Sequence, residues 1–484
     1  MPGGSIAEWT SEQGEPRIRV GIALPTDDMT RVRMDIPTGG YEITSNNRDL
    51  GTAPVGHAEV VVDGTSVRFT SSVTPRSWSV DVLRLEAMDP EAPHQGAGIR
   101  LHDLLTGRGF HWQKRVSFSM LGTLEFRVVD GRLLIVNELS LEDYLQGVIT
   151  AEMSGECPLE FLKSQCIVAR SWVLAHTEPK HTEWPIDRCN DDCCQRYHGT
   201  SYWTPRAADA VTGTCGQVVT DGAGHIIDAN YSKSCGGIIE APENVWFVKK
   251  TCQRAAVDAP VGSPVRRFMP VSDGNLDEFL VGEWLAGADV FCSPNVVPDR
   301  DLPKYLGSVD EGGGHFRWVV EYPRKQLEEL ISRKLPGVFV EPARAASGGG
   351  VLVADIPPRT VAARMPVLAA LRELRLTKRG PSGRASELEI DYADAAGNLH
   401  CAVVRSEYRI REVLHEKFLY SSAFKIDMER EGDGVLTVIR LRGAGWGHGA
   451  GLCQIGALGM ALKGYSCRDI LQHYFEDVQI RAFY

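Results

Sequence analysis

Glu152 stands where an acid would be useful. It lies seven residues after Leu145, four after Val148 and three after Ile149, offsets that on a helix put its carboxylate in line with an apolar stripe. Ser154, Gly155 and Pro158 follow and predict that the helix ends beside it. Burial and the negative end of the helix dipole both favour the protonated carboxyl. A carboxyl kept protonated near neutral pH is what a general acid on a glycosidic oxygen requires. A surface glutamate at a helix end is the plain alternative from position alone.

Two further groups have chemistry in their spacing. Six of the chain's 12 cysteines fall between Cys157 and Cys215, and Cys189, Cys193 and Cys194 crowd into DRCNDDCCQRYHG with His176, His181 and His198 nearby. Thiolates and imidazole this close suit tetrahedral Zn²⁺, and four protein ligands would make a closed, structural site. Reduced thiols, or a disulfide to a distant cysteine, are the alternatives, and adjacent cysteines on one ion are sterically awkward, so one of Cys193 and Cys194 could be a bystander. In GAGWGHGAGLCQIGALG, Gly443, Gly445, Gly447, Gly449 and Gly451 alternate. An extended strand of that pattern has one face without side chains and projects Trp446 and His448 from the other, a plausible sugar platform.

The elements that must position these residues read as α+β. RIRVGIAL (17–24), HAEVVV, TSVRFTSSV and VSFSML are short, β-branched strand segments, and LEFRVV and RLLIVN flank Asp130-Gly131, a tight hairpin turn. From Ser140, with Asp143 three residues on, the pattern turns helical, and a second helix starts near Pro158. GQVVT and HIIDANYS read as strands, 255–313 as irregular or inserted, RKQLEELISRKL as a helix and SGGG at 347–350 as a linker. Three more strands, LRELRLTK, ASELEIDYA and LHCAVVR, precede a helical end with a stop at Lys463-Gly464 and a start at Ser466. The division is a strand-rich part (1–135), a core with Glu152 and the cysteine triplet (136–254), an irregular segment with one helix (255–350), and C-terminal strands and helices carrying the glycine run (351–484). A net charge of −11 argues against a nucleic-acid partner, and no apolar run approaches the about 18 residues of a membrane span. The opening MPGGSIAEWTSEQ lacks the basic and apolar regions of a secretory signal.

The run EDYLQGVITAEMSGECPLEFLKSQCIVARSW resembles the central signature of the SpoIID/LytB family, roughly E-D-Y-L-x-G-V, E-M, P-L-E-x-L-K-x-Q and A-R-[ST]. It is met by Glu142 to Leu145, Gly147, Val148, Glu152, Met153, Pro158 to Glu160, Leu162, Lys163, Gln165 and Ala169 to Ser171. The resemblance implies a SpoIID-like fold, with strand-rich ends around a helical catalytic centre, and gives Glu152 the catalytic role. Ser154 and Cys157 depart from the proline and tryptophan usual there. Cys189, Cys194, Gln195 and Tyr197 are similar to the family's C-x-x-x-H-C-Q-x-Y segment, with Cys193 in place of histidine. The ligand set read here is Cys189, Cys193 and Cys194 with His181, and His176 or His198 could serve instead. ANYSKSCGGIIEAPENVW and the glycine run also resemble family segments, including Gln454, Gly456 and Ala457. The implied sugar-side residues are Arg170, Tyr231, Ser232, Ser234, Cys235, Gly236, Gly237, Trp446, His448 and Gln454. A Gly-Gly turn would explain the two glycines equally well.

What the family implies is a peptidoglycan lytic transglycosylase, outside the cytoplasm, acting on peptide-free strands of alternating N-acetylglucosamine and N-acetylmuramic acid and leaving 1,6-anhydro ends. The competing reading is its amidase-enhancer branch, whose members stimulate a cell-wall amidase. A cysteine hydrolase built on Cys235 and His448 is a third, and a zinc hydrolase lacks an H-E-x-x-H motif.

Overall fold

Alternation in the first part of the chain produces β1 (Arg17–Ala23), β2 (Thr123–Val129) and β3 (Arg132–Ser140). Asp130 and Gly131 take φ of 52° and 73°, so a two-residue turn with both central residues left-handed closes β2 onto β3. β3 pairs antiparallel with β1 from Arg17↔Ser140 onward. The two belong to a seven-stranded sheet that continues outward from β2 through Val82–Ala87 and Tyr41–Ser45 to Arg48–Ala53. A six-stranded sheet is formed by Arg31–Ile36, Gly56–Asp63, Ser66–Ser71, Ser77–Val80, Ile99–Thr106 and Lys114–Met120. The computed structural model describes residues 9–340 apart from 75, 89–93, 111, 176, 178–179 and 308–313, and residues 367–484 apart from 433. The SGGG segment lies outside the described residues.

The strand-to-helix switch at Ser140 is local chemistry. Its hydroxyl accepts the Asp143 N–H at 3.2 Å and caps α1 (Leu141–Glu152). Tyr144, Leu145, Val148 and Ile149 are fully buried. α2 (Leu159–Ala175) follows Pro158, and its Phe161, Leu162, Cys166, Val168, Ala169 and Val173 are buried as well. The short strand β4 (Arg188–Cys189) then adds in parallel to the free edge of β1, Val20↔Arg188 and Gly21↔Cys189. Gly21 is required there, because a Cβ would stand 2.7 Å from Ile186 Cδ1.

The chain forms two compact units. One comprises Met1–Val219, Lys304–Glu311 and Ile480–Tyr484, the other Thr220–Pro303 and Gly312–Gln479. In the second, β5 (Tyr231–Ser232) is all that forms of the expected HIIDANYS strand beyond an isolated bridge at Ile226. The 255–303 stretch holds short helical turns, in keeping with its Pro, Gly and Asp content. β6 (Arg317–Pro323) leads into α3 (Arg324–Val340), then come β7 (Ala370–Arg379), β8 (Ala385–Ala393), β9 (Leu399–Arg405) and α4 (Glu407–Val413). β10 (Phe424–Arg430) and β11 (Leu436–Ala444) complete a sheet in the order β6-β11-β10, beside a second of order β7-β8-β9. One apolar core, with Trp318, Leu327, Ile331, Leu388, Ile390, Ile410 and Ile439, joins both sheets to α3 and α4. The end is β12 (Leu452–Cys453), α5 (Gln454–Leu462) and α6 (Cys467–Tyr474), the last with the expected Ser466/Asp469 capping box. The protein is α+β, and among the described residues no helix is long and apolar enough to cross a membrane.

Candidate functional site

α1 ends on Glu152, and Met153 turns extended with its N–H still on Ile149 O. The Glu152 side chain is buried, and its Oε1 accepts the backbone N–H of Arg196 at 3.1 Å. That donor comes from the cysteine-rich segment. The segment is fixed from several sides: Asp191 accepts the N–H groups of Gly107 and Arg108 at 2.9 and 2.8 Å, Gln195 accepts the Tyr144 hydroxyl at 3.1 Å, and Tyr197 donates to Asn137 at 2.7 Å. Gly147 makes room for it, since a Cβ would meet the Tyr197 ring at 2.5 Å.

Beside Glu152 the same segment carries an acid that the sequence did not mark. Asp192 takes the Arg196 guanidinium at 2.7 Å and the Trp112 indole N–H at 2.9 Å, while Arg196 also lies over the Trp112 ring. Burial, and secondarily the charges of Asp191 and Glu152, outweigh Arg196 and push its carboxyl up to about 7. Nothing in an Asp-Asp pair before two cysteines distinguishes such a residue from a solvated turn. Arg170 differs from its expected sugar-side role. It is fully buried and its fork closes on Glu142 at 2.9 and 2.6 Å, so the guanidinium is committed to holding α2 against α1.

His181, Cys189, Cys193 and Cys194 each bring one ligand atom to within 4.8 Å of all the others. Cys193 Sγ is 3.5 Å from His181 Nε2 and 2.9 Å from Cys189 Sγ. Tetrahedral zinc sets its sulfur and nitrogen ligands about 3.5–3.8 Å apart, a spacing the exposed Cys193 reaches by a small rotation. The steric objection to adjacent cysteines is removed by the turn that Cys194 N–H closes on Asp191 O at 2.8 Å, which brings both sulfurs inward. Although burial works upward on Cys194, hydrogen bonds with Cys189, Cys193 and His181 hold its thiol well below the ordinary range, favouring a thiolate. Of the alternative ligands, His198 is elsewhere, stacked on Phe118 at 4.2 Å with Nε2 toward Thr106, and His176 lies outside the described residues. The donor set fits zinc, and β4 together with the apolar contacts of Cys189 and Cys194 against Leu24, Leu134, Val136 and Ile186 anchors it to the sheet.

In the second unit the SCGG and GWGHG segments, more than 200 residues apart, meet. β5 pairs in parallel with β12, and Ser234 and Trp446 exchange backbone hydrogen bonds of 3.0 and 2.8 Å. The glycine run is not the extended strand its alternation predicted. Gly445, Gly447, Gly449 and Gly451 have φ of 75°, 91°, 73° and 71°, a left-handed conformation that a Cβ resists. Arg384 is buried against these turns and donates to the carbonyls of Gly447, Cys235 and Ser234 at 3.2–3.4 Å, while Gly445 N–H, Gly447 N–H and Gly449 O bond the backbone of Phe316, Tyr420 and Glu240. A Cβ on Gly449 would lie 2.1 Å from Arg384 Cζ. Trp446 is buried and stacks at 4.6 Å on both Tyr420 and His315, so the ring packs the core rather than offering an open platform. His448 is half-buried, accepts the Ala450 N–H at 3.1 Å and meets Trp246 edge-on. Burial, with Arg384 and Arg411 adding, holds its imidazole down to about 3, hence neutral.

Of the remaining sugar-side candidates, Tyr231 is half-buried, whereas Ser232, Ser234, Cys235, Gly236, Gly237 and Gln454 are buried. Gly236 and Gly237 have φ of 77° and 111° and form the tight turn. Cys235 Sγ faces Asp258 and Cys292, not the imidazole that a cysteine hydrolase would require.

Residues 129–220 match the family described as Stage II sporulation protein, so the chain carries a SpoIID domain, which contains both Glu152 and the His181–Cys194 cluster. Residues 354–451 match a second family, described as a domain of unknown function (DUF8618). An uncharacterised protein of Brachyspira hyodysenteriae is 33% identical over 127 residues, 26% of this chain and 34% of that protein. The amidase enhancer of Bacillus subtilis is 36% identical over 102 residues, covering 21% of this chain and 13% of the enhancer. Stage II sporulation protein D of the same organism is 21% identical over 359 residues, 71% of this chain and 75% of that protein. The chain thus spans about a third of the length of the first of these relatives.

Proposed function

We propose that the chain is a lytic transglycosylase of bacterial peptidoglycan with Glu152 as its single acid and base. The observation that carries this reading is the buried Glu152 carboxylate at the end of α1, inside the segment that matches the SpoIID family and in register with its E-M motif. The similarity to stage II sporulation protein D along most of the chain supports it. Protonated Glu152 gives its proton to the glycosidic oxygen as the bond to the muramoyl anomeric carbon breaks. The resulting carboxylate then takes the proton of the muramoyl C6 hydroxyl, whose oxygen bonds to that carbon and closes the 1,6-anhydro ring. The nucleophile belongs to the substrate, so no second carboxylate is needed for a covalent intermediate or a water, unlike two-carboxylate hydrolases. The Arg196 N–H holds one oxygen of the carboxylate in place. Zinc at His181, Cys189, Cys193 and Cys194 would have a structural part, holding the segment from which Arg196 reaches Glu152. Such an enzyme works outside the cytoplasm, on peptide-free glycan strands.

The match to an amidase enhancer favours a second reading, in which the chain binds cell wall and stimulates an amidase. Mass spectrometry of peptide-free peptidoglycan treated with wild type and Glu152→Gln separates the two. Anhydro-muramoyl ends from wild type alone are expected. Reducing ends would make the protein a hydrolase. Absence of cleavage by either, with amidase stimulation by both, would replace catalysis with enhancement.

A further inference from the structure

A second cluster of metal-ligating side chains lies in the second unit, where no motif announced one. Cys235, Asp258, Cys292 and Cys453 each bring a ligand atom to within 4.8 Å of all the others, and all four residues are buried. We propose that this cluster is a closed binding site for one divalent transition ion of the zinc class, which ties the SCGG turn, the 256–293 segment and the start of α5 together.

The geometry is that of a site built for an ion. Cys235 Sγ and Cys292 Sγ are 3.7 Å apart, close to the about 3.8 Å between two sulfurs on tetrahedral zinc. A disulfide would need about 2 Å, and a multi-iron cluster would spread its ligands wider than these four. The two oxygens of Asp258 are divided between tasks. Oδ1 accepts the Tyr474 hydroxyl at 2.9 Å and faces His473 Nε2 at 3.1 Å, while Oδ2 points inward, 3.1 Å from Cys235 Sγ. Outer partners that orient a carboxylate and leave its other oxygen free are the usual support of a metal ligand. Gly456 permits this approach, because a Cβ there would sit 2.3 Å from Asp258 Oδ2.

Backbone N–H groups point at two of the sulfurs. Cys453 Sγ accepts the N–H groups of Cys235 at 3.2 Å and Gly456 at 3.3 Å, the latter at the N-terminus of α5, and Cys235 Sγ accepts Gly237 N–H at 3.3 Å. Three thiolates and a carboxylate around a divalent ion leave net negative charge, and a cation is at hand. Among the described residues the Arg317 guanidinium donates only to carbonyls, those of Gly236, Phe316 and Phe279, and the charges of Cys292 and Cys235 are what support its own against burial. Soft sulfur ligands exclude calcium and magnesium.

The backbone already clips these segments to one another. Asp258 N–H donates to Gly237 O at 3.0 Å, and Phe291 N–H to Asp258 O at 2.9 Å. The ion would lock an arrangement whose ligands span 218 residues of chain, from Cys235 to Cys453.

The test removes the first cluster and counts what remains. The full-length double variant His181→Ala/Cys193→Ser, altered only near the surface, is stripped of metal under reducing conditions and titrated with Co²⁺, then Zn²⁺. One equivalent of Co²⁺ is expected, with intense sulfur-to-cobalt absorption in the near ultraviolet and tetrahedral bands in the visible, displaced by one equivalent of Zn²⁺. No binding by this variant would overturn the proposal. So would a disulfide among Cys235, Cys292 and Cys453 in thiol-trapped protein as purified. Adding Cys292→Ser to the double variant is expected to abolish the remaining equivalent, and retention of full thiolate absorption would again count against it. The wild-type protein supplies a measurement independent of variant folding: two equivalents are expected, one released rapidly to a chelator and one released far more slowly. Complete rapid release would contradict a closed buried site.

Discussion

The two cysteine clusters use the same chemistry in opposite ways. In the first, the ligands lie within 14 residues, from His181 to Cys194, and Cys193 is exposed. In the second, every ligand is buried and the outermost are 218 residues apart. A metal in the first would organise a local loop, the loop whose Arg196 N–H reaches Glu152. A metal in the second would join chain segments that have no local reason to meet. Loop closure costs more entropy as the closed segment lengthens, though only logarithmically. Complete burial then deprives unpaired ligands of solvent as a fallback. The second cluster should therefore bear on stability and the first on activity.

Cys453→Ser is expected to have the largest effect. It should cost the metal-loaded protein on the order of 5 kcal/mol, part of the roughly 10–16 kcal/mol that a structural zinc contributes. Denaturant unfolding of the zinc-loaded protein checks this, and an equal loss in Cys193→Ser would erase the contrast. Gly456→Ala touches no sulfur but drives a methyl toward Asp258 Oδ2 and the Tyr474 hydroxyl. A destabilisation of about 1–3 kcal/mol is expected from overpacking, although alanine is by about 1 kcal/mol the better helix former. Cobalt spectra of this variant should shift, and an unchanged spectrum with raised stability would remove Asp258 from the ligand set.

Acid should act on the first unit through His198. Burial, helped by the charge of Arg196, holds its imidazole down to about 3. From about pH 6.5 downward the unfolded chain takes up a proton that the native ring refuses. Stability therefore falls by about 1.4 kcal/mol per pH unit toward pH 3 and is unaffected by this group above 6.5. His198→Phe, which keeps a ring against Phe118, should flatten that slope, and acid unfolding curves that superimpose would show that other groups set it. Cys193→Ser should give the smallest change, a loss of glycan cleavage of about three- to tenfold with little loss of stability. Turnover of peptide-free glycan measures it, and unaltered turnover in zinc-free variant protein would separate the cluster from Glu152.

Much of the local structure was legible because its causes are local. The Asp130-Gly131 turn, the Ser140 cap, the buried stripe before Glu152 and the Ser466/Asp469 box all follow from residues a few positions apart. The first cluster was legible for the same reason, down to His181. The glycine run misled because its alternation is also that of a strand, whereas the chain curls against distant partners, Arg384 and the backbone of Phe316, Tyr420 and Glu240 among them. Trp446 reads as a platform until Tyr420 and His315 cover it. Arg170 reads as a sugar ligand until Glu142 claims its fork.

By itself, then, the sequence determined the α+β class, the helix that ends on Glu152, the family segment around it and the set of cysteines able to hold a metal near it. Periodicity, caps and turn residues act over one or two turns of chain, and a linear motif records them directly. Tertiary structure alone decided that Arg196 supplies a donor to Glu152, that Asp192 is the acid beside it, and that Cys235, Asp258, Cys292 and Cys453 converge. Those relations depend on which distant segments share a core, and burial, not spacing, gives such residues their chemistry.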